Sequence, residues 1–141
     1  METKYRFQPA QPYGLHDMRI CNMNIINRNL DLLFENGFIK IEEPYRQVNG
    51  TMTVERIDPD FSDVFLLGKN GKHGPFRGEK LALTDFIKRF PDFSFEVVDE
   101  LYGYNKILYG GFVSLPEFNY MIEMKLMIYY EGNIIYKTEE N

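Results

Sequence analysis

The sequence predicts an all-β protein, an antiparallel sandwich or flattened barrel of about eight strands with one short helix. Short segments that alternate apolar and polar residues recur from residue 18 to the C-terminus. Clusters of Gly, Pro, Asn and Asp separate these segments. Alternation with a period of two is the pattern of a half-buried strand, and such clusters are typical of turns.

The composition is that of one globular β-rich domain, residues 1–141. Of its residues 44% are hydrophobic, which excludes general disorder. Cys21 is the single cysteine, so no disulfide can form within the chain. We expect Cys21 to be a small buried apolar residue of a strand.

The charge pattern and the short apolar runs limit the classes of partner that we expect this chain to bind. The formal net charge is −5, and acidic and basic residues are interspersed. This argues against nucleic acid, because phosphate binding requires a clustered basic surface. The first residues lack the apolar core of a signal peptide, and the longest apolar run, residues 126–130, is too short to span a bilayer. We therefore expect a cytoplasmic protein that does not bind membranes.

The hairpin around Asn36-Gly37 is the most sharply defined element. Both residues tolerate a positive φ, so an Asn-Gly pair between alternating segments favours a two-residue type I′ turn. That turn would pair Phe34 with Ile39 and Leu32 with Ile41. All four side chains would then lie on one buried face.

The other strands follow the same alternation. They are predicted at residues 18–26, 50–58, 63–68, 93–101, 107–115, 119–130 and 134–138. In the first of these, Ile20 and Ile26 are expected on one buried face, and Asn27, Arg28 and Asn29 turn the chain into the next strand.

The last two strands are expected to pair through a turn at Glu131-Gly132-Asn133. With a two-residue loop, Leu126 and Ile128 face inward, while Tyr129 and Tyr136 face outward; a three-residue loop would invert the final strand only.

One short helix is predicted at residues 84–90. Thr84 is the expected N-cap and Pro91 ends the helix. Phe86, Ile87 and Phe90 share one side, and a helix this short persists only by docking that side onto the sheet.

Two predicted strand segments, residues 64–67 and 126–130, carry apolar side chains on both faces of the strand. Strands that are buried on both faces have this pattern, so something must cover the second face. The candidates are the apolar side of the helix, the N-terminal segment, or a second copy of the chain in a homodimer.

The residues able to do chemistry are few, and we predict no catalytic residue, no metal site and no cofactor. His16 and Asp17 precede a strand and are expected to form a turn pair; a weak enzyme using His16, Asp17 or His73 is the alternative. Residues 58–63 carry three aspartates, which we expect to bond a turn rather than a calcium ion.

A glycine-rich basic loop spans residues 68–78 and carries Lys69, Lys72, His73 and Arg77. Backbone N–H groups beside glycines, together with basic side chains, can bind an anion. The alternative is a hairpin loop without a ligand.

Tyrosines concentrate in the C-terminal half. Exposed tyrosines suit protein interfaces and also stack on sugar rings. Together with His16 and Asp17, the predicted binding residues are Tyr102, Tyr104, Tyr129 and Tyr136. The alternative is that these tyrosines pack at the rim of the core with wet hydroxyls.

Leu15-His16-Asp17, a strand, and then Leu30-Asp31-Leu32-Leu33-Phe34 resemble the opening of small uncharacterised bacterial β-rich proteins. Some of those are thought to be immunity proteins of polymorphic toxin systems. The resemblance covers about the first quarter of the chain. It implies a bacterial cytoplasmic protein that binds a partner.

These observations lead to one main functional hypothesis, a non-catalytic binding protein for protein–protein recognition. The alternative is a barrel or sandwich that binds a small molecule or glycan in an aromatic-lined pocket.

Overall fold

The computed structural model describes residues 1–5, 11–68 and 78–139. These residues form thirteen strands: β1 (Glu2–Tyr5), β2 (Tyr13–Gly14), β3 (Arg19–Ile26), β4 (Asn29–Phe34), β5 (Phe38–Lys40), β6 (Arg46–Val48), β7 (Gly50–Val54), β8 (Asp63–Leu67), β9 (Gly78–Ala82), β10 (Ser94–Gly103), β11 (Lys106–Ser114), β12 (Ile122–Tyr129) and β13 (Ile134–Thr138). One α-helix, α1 (Leu83–Arg89), and a 3₁₀ turn, Pro59–Phe61, complete the described elements.

The architecture is all-β and sandwich-like, as the sequence predicts, and it is not a closed barrel. Ten antiparallel strands form one sheet in the order β1-β13-β7-β4-β3-β10-β11-β12-β8-β9, and β2, β5 and β6 form a second, small sheet. The large sheet folds over a shared core, because the ring of Tyr5 in β1 packs against Tyr102 in β10, with centroids 5.8 Å apart. An isolated antiparallel bridge pairs Ile57, which follows β7, with Tyr130, which follows β12, and so links the two halves of the large sheet at one corner.

The predicted hairpin at Asn36-Gly37 is wrong. β4 pairs with β3 and β7 in the large sheet, whereas β5 pairs with β2 and β6 in the small one. Gly37 has a φ of 70°, but Asn36 does not have a positive φ, so no type I′ turn forms. The chain crosses from one sheet to the other here, and Ile41 is exposed instead of paired with Leu32.

The type I′ pattern occurs one turn earlier in the chain. Asn27 and Arg28 both have positive φ, 52° and 64°, and join β3 to β4. The predicted alternation of buried and exposed side chains in β3 is also wrong toward the C-terminal end of the strand. A register shift between Ile20 and Asn22 inverts the alternation, so Met23 is buried and Ile26 is exposed.

The last two strands do not pair with each other, which corrects the second predicted hairpin. β12 lies between β11 and β8, and β13 lies between β1 and β7. The inward phase of β12 is nevertheless confirmed, because Met124, Leu126 and Ile128 are fully buried. Tyr136 was expected to face outward but is buried, since the small sheet packs on it: its ring centroid is 4.9 Å from that of Tyr13.

The helix α1 covers part of the inner face. Phe86 and Phe90 are buried and Ile87 is half-buried, as expected for its docking side. The predicted N-cap Thr84 is wrong: Ala82 stands at the cap without a side-chain bond, and the Leu83 N–H donates instead to the Ser62 carbonyl at 2.9 Å. A backbone acceptor thus satisfies one of the first amides of the helix.

Candidate functional site

A groove opens at one end of the sandwich, where the C-terminal end of α1 meets the ends of β8 and β12. We call it the α1 groove; its volume is about 620 Å³. Four large apolar side chains line it and remain 38 to 45% exposed: Phe112, Phe118, Tyr120 and Met121. Leu66 and Phe90, both buried, form its base.

The local sequence explains why these side chains are exposed. Leu115 is buried and fixes the end of β11, and the Phe118 N–H donates to its carbonyl at 3.1 Å. Pro116 between them has no N–H for a sheet ladder, so the chain turns before β12 begins. The rings of Phe118 and Tyr120 lie 5.7 Å apart at 55° on this loop.

Sequence reasoning missed this groove. It began the strand at Asn119, which placed Tyr120 and Met121 inside a regular alternating segment, whereas β12 begins at Ile122. The feature that could have identified the site is a pair of aromatic residues in a loop that contains Pro116.

An ion pair closes one side of the groove. The Arg89 guanidinium lies 2.5 Å from the Glu79 carboxylate, joining α1 to β9. The same guanidinium lies over the Phe90 ring, 4.7 Å from its centroid. The positive charge of Arg89 is therefore already engaged.

His16 and Asp17 form a turn pair at a corner of the sheet, away from the lining of the α1 groove. The Asp17 N–H donates to the Val97 carbonyl at 2.7 Å, and Asp17 has a positive φ of 65°. His16 Nδ1 donates to the Val98 carbonyl at 2.7 Å, and its Nε2 lies 3.4 Å from Asp17 Oδ2. The turn docks where a register shift between Val97 and Asp99 interrupts β10.

The pKa of His16 is raised above its ordinary value of 6.5, first by the hydrogen bond to the Val98 carbonyl and then by the Asp17 carboxylate. Both groups favour the imidazolium. Protonated His16 therefore stabilises the fold at pH values below the unfolded-state pKa of this histidine. The contribution is lost as the pH rises through the folded-state pKa.

We expect an NMR titration to give a pKa for His16 above that of a histidine in an unstructured peptide. Asp17→Asn should lower this pKa only in part, because the Val98 carbonyl remains. A pKa that falls to the peptide value in Asp17→Asn would show that the carbonyl bond does not form in solution.

The four predicted tyrosines separate into two groups. Tyr102, which is half-buried, belongs to a cluster with the fully buried Tyr109 and Tyr136. The Tyr102 hydroxyl donates to Glu100 Oε1 at 2.7 Å, so the Tyr109 hydroxyl, 3.0 Å away, donates to the Tyr102 oxygen. The Tyr136 hydroxyl is buried and forms no hydrogen bond of regular geometry within residues 1–5, 11–68 and 78–139; the Tyr102 hydroxyl is near enough only to offset in part the rise of its pKa on burial. Burial raises the pKa of each of these three phenols, so they stay neutral.

This difference in partners makes two conservative substitutions act in opposite directions. Tyr136→Phe removes a buried unpartnered hydroxyl and should stabilise the protein by about 1 kcal/mol. Tyr109→Phe removes a donor from Tyr102 and should destabilise it by about 1 kcal/mol. Urea denaturation of both variants measures the two changes, and equal effects would contradict the assigned bonds.

Tyr104 and Tyr129 lie on the surface, which confirms the outward direction predicted for Tyr129. Tyr104 is 78% exposed at the tip between β10 and β11, and Tyr129 is 39% exposed. The ring of Tyr129 already has neighbours, since Lys106 Nζ lies 5.6 Å from its centroid and the Phe61 ring lies 6.3 Å away. These tyrosines are at the opposite end of β11 and β12 from the α1 groove.

The basic loop residues Lys69, Lys72, His73 and Arg77 lie outside the described residues. Asp58 forms the expected turn, with its Oδ1 accepting from the Asp60 N–H at 3.0 Å. Within the described ranges, no three His, Cys, Asp or Glu side chains come together as a metal site would require.

Comparison with protein-family models, with curated proteins and with solved structures gave no match. In the described part of the chain, no helix has the length and apolar character needed to cross a membrane.

Proposed function

We propose that this chain is a non-catalytic, cytoplasmic binding protein that recognises another protein through the α1 groove. The observation that supports this is the gathering of four exposed apolar side chains, Phe112, Phe118, Tyr120 and Met121, around one groove. Contiguous exposed apolar surface on a soluble protein marks sites of association. Aromatic residues and Met are also the types enriched in protein interfaces.

The openness of the groove favours a protein over a small ligand. Small-molecule sites typically bury roughly 70–90% of the ligand surface. Here the four large apolar side chains of the lining keep 38 to 45% of their surface exposed, and a protein partner could cover both the groove and its rim. Residues 15–34 also resemble small uncharacterised bacterial β-rich proteins, some of which are thought to be immunity proteins that bind a partner protein, and this points the same way.

The environment of His16 and Cys21, which lie in the described residues, supports a role without catalysis. Both ring nitrogens of His16 face groups that hold them in place, the Val98 carbonyl and the Asp17 carboxylate. The Cys21 thiol lies 3.6 Å from the Leu33 carbonyl, a weak hydrogen bond within the sheet. Neither group lines the α1 groove.

A small molecule or glycan in the same groove is the second candidate. The volume of about 620 Å³ lies within the usual range for ligand sites, roughly 300–1,000 Å³. The Phe118 and Tyr120 rings could stack on a sugar. A ligand that binds only the folded state raises the melting temperature, so a thermal-shift screen tests this candidate.

Site-specific photo-crosslinking tests whether a partner protein binds at the α1 groove. Phe118 or Met121 is replaced by p-benzoylphenylalanine, and Tyr104, equally aromatic and more exposed, carries the probe in the matched control. We expect positions 118 and 121 to give the same crosslinked species in native cells, and position 104 to give little of it. Excess unmodified protein should suppress the crosslink.

The partner identified in this way should then bind the purified protein at least tenfold more weakly when Phe118 and Tyr120 are both replaced by Ser, since anchor residues contribute about 2 kcal/mol or more. A crosslink to a second copy of this chain would assign the groove to a homodimer. Equal labelling from position 104, or no loss of affinity in the double variant, would refute the α1 groove as the site.

A further inference from the structure

A row of side chains crosses the outer face of the sheet at the α1 groove. Phe112 stands between Glu96 on β10 and Glu123 on β12, which are its register partners on the two sides. Directly paired residues share a face of the sheet, so the 42% exposed Phe112 stands in a row with one glutamate on each side. An aromatic face flanked by carboxylates is the arrangement that attracts an organic cation.

The two carboxylates differ in what they already bind. Glu96 Oε2 lies 3.3 Å from the Arg19 guanidinium, which is held also by Ser94 Oγ at 2.9 Å. Glu123 has neither a hydrogen bond nor an ion pair within the described ranges. Glu123 lines the groove together with Phe112, so its charge is free to meet a ligand there.

Neither of the two nearby described cations forms an ion pair with Glu123. Arg89 pairs with Glu79 across the groove. Lys125 lies on the same face of β12 as Glu123, two residues further along, and its side chain runs over Gly110. Among the described residues, the groove therefore offers aromatic surface beside one carboxylate, that of Glu123, that no cation pairs with.

We propose that the α1 groove seats a cationic side chain of the partner, an arginine or lysine, over Phe112 and against Glu123. This rests on the proposed function, because it names the chemistry of the partner that the groove recognises. The guanidinium or ammonium group stacks on the Phe112 face and forms an ion pair with the Glu123 carboxylate. The rings of Phe118 and Tyr120 cover the aliphatic part of the same side chain.

The site can be tested without the partner. N-acetyl-arginine amide is titrated into the isotopically labelled protein and followed by NMR, with N-acetyl-citrulline amide as the neutral analogue of the same shape. We expect saturable shifts at Phe112, Glu123 and Met121 with the arginine amide. The citrulline amide should bind about tenfold more weakly, because it lacks the charge that both the ring and the carboxylate require.

Two variants of the chain complete the test. Glu123→Gln keeps the shape of the side chain and should weaken arginine amide binding about tenfold, while Glu117→Gln, an exposed loop residue, should leave it unchanged. Phe112→Leu keeps apolar volume but removes the aromatic face and should also weaken binding.

Equal shifts with the arginine and citrulline amides, no saturable shift at Phe112, or unchanged binding in Glu123→Gln would overturn the cation site. The crosslink from position 118 does not depend on these outcomes. A partner captured there without arginine amide binding would refute the cation site and leave the proposed function standing.

Discussion

Replacing Gly37 by alanine is expected to destabilise the protein by about 3 kcal/mol or more, among the largest effects of any single substitution. Gly37 has a φ of 70°, where a side chain is strained. A Cβ at this position would also lie far inside contact distance of the Val48 carbonyl oxygen and of its carbon. Because both neighbours are backbone atoms, they cannot yield without moving β6.

Chemical denaturation measures this loss, and two controls make it specific. Gly103→Ala should be nearly neutral, because the nearest atom to its Cβ would be 3.9 Å away and its φ is not positive. Asn36→Ala should cost at most about 0.5 kcal/mol, because Asn36 lacks the positive φ of a type I′ turn. A large loss in Asn36→Ala would instead favour the two-residue hairpin and contradict the crossing between sheets.

Replacing Phe86 by alanine is expected to lower the free energy of unfolding by about 3–5 kcal/mol, the second large effect. Phe86 is fully buried, and its ring centroid lies 5.4 Å from that of Phe90 and 5.3 Å from that of Phe93. The seven-residue helix α1 has no side-chain N-cap and cannot persist without this contact.

Urea denaturation with circular dichroism tests this second prediction. Lys88→Ala, an exposed position of the same helix, is the matched control and should change stability by no more than about 0.5 kcal/mol. If Phe86→Ala cost as little as its control, α1 would not be docked on the core as described.

The sequence predicted the fold class and most inward phases because alternation is a local property. Val64 and Leu66 in β8, and Leu126 and Ile128 in β12, all face the core as their period of two requires. Pairing between strands is not local. The Asn36-Gly37 pair correctly marks a change of direction, but nothing within a few residues determines which sheet receives the next strand.

Irregularities account for the other errors. The register shift between Ile20 and Asn22 inserts one residue, which reverses the phase of the rest of β3 and exposes Ile26. Tyr136 is buried because the small sheet covers β13, and these contacts join Tyr136 to Phe38 and Tyr13, which lie 98 and 123 positions earlier in the chain.

The candidate site was only partly accessible to sequence reasoning. The expectation that exposed aromatic residues carry the function identified Tyr104 and Tyr129, which are exposed, but not the four residues of the α1 groove. That groove exists because a loop, a helix end and three strand ends converge, and such convergence is a property of the tertiary structure.

The most direct test of the central claim is a hydrogen-exchange footprint of the partner captured by the crosslink. If the α1 groove is the binding site, the partner will slow exchange in residues 112–123 and leave the tip at residues 103–106 unchanged. Protection of the tip with no change in residues 112–123 would place the interface at Tyr104 and Tyr129, and the α1 groove would not be the binding site.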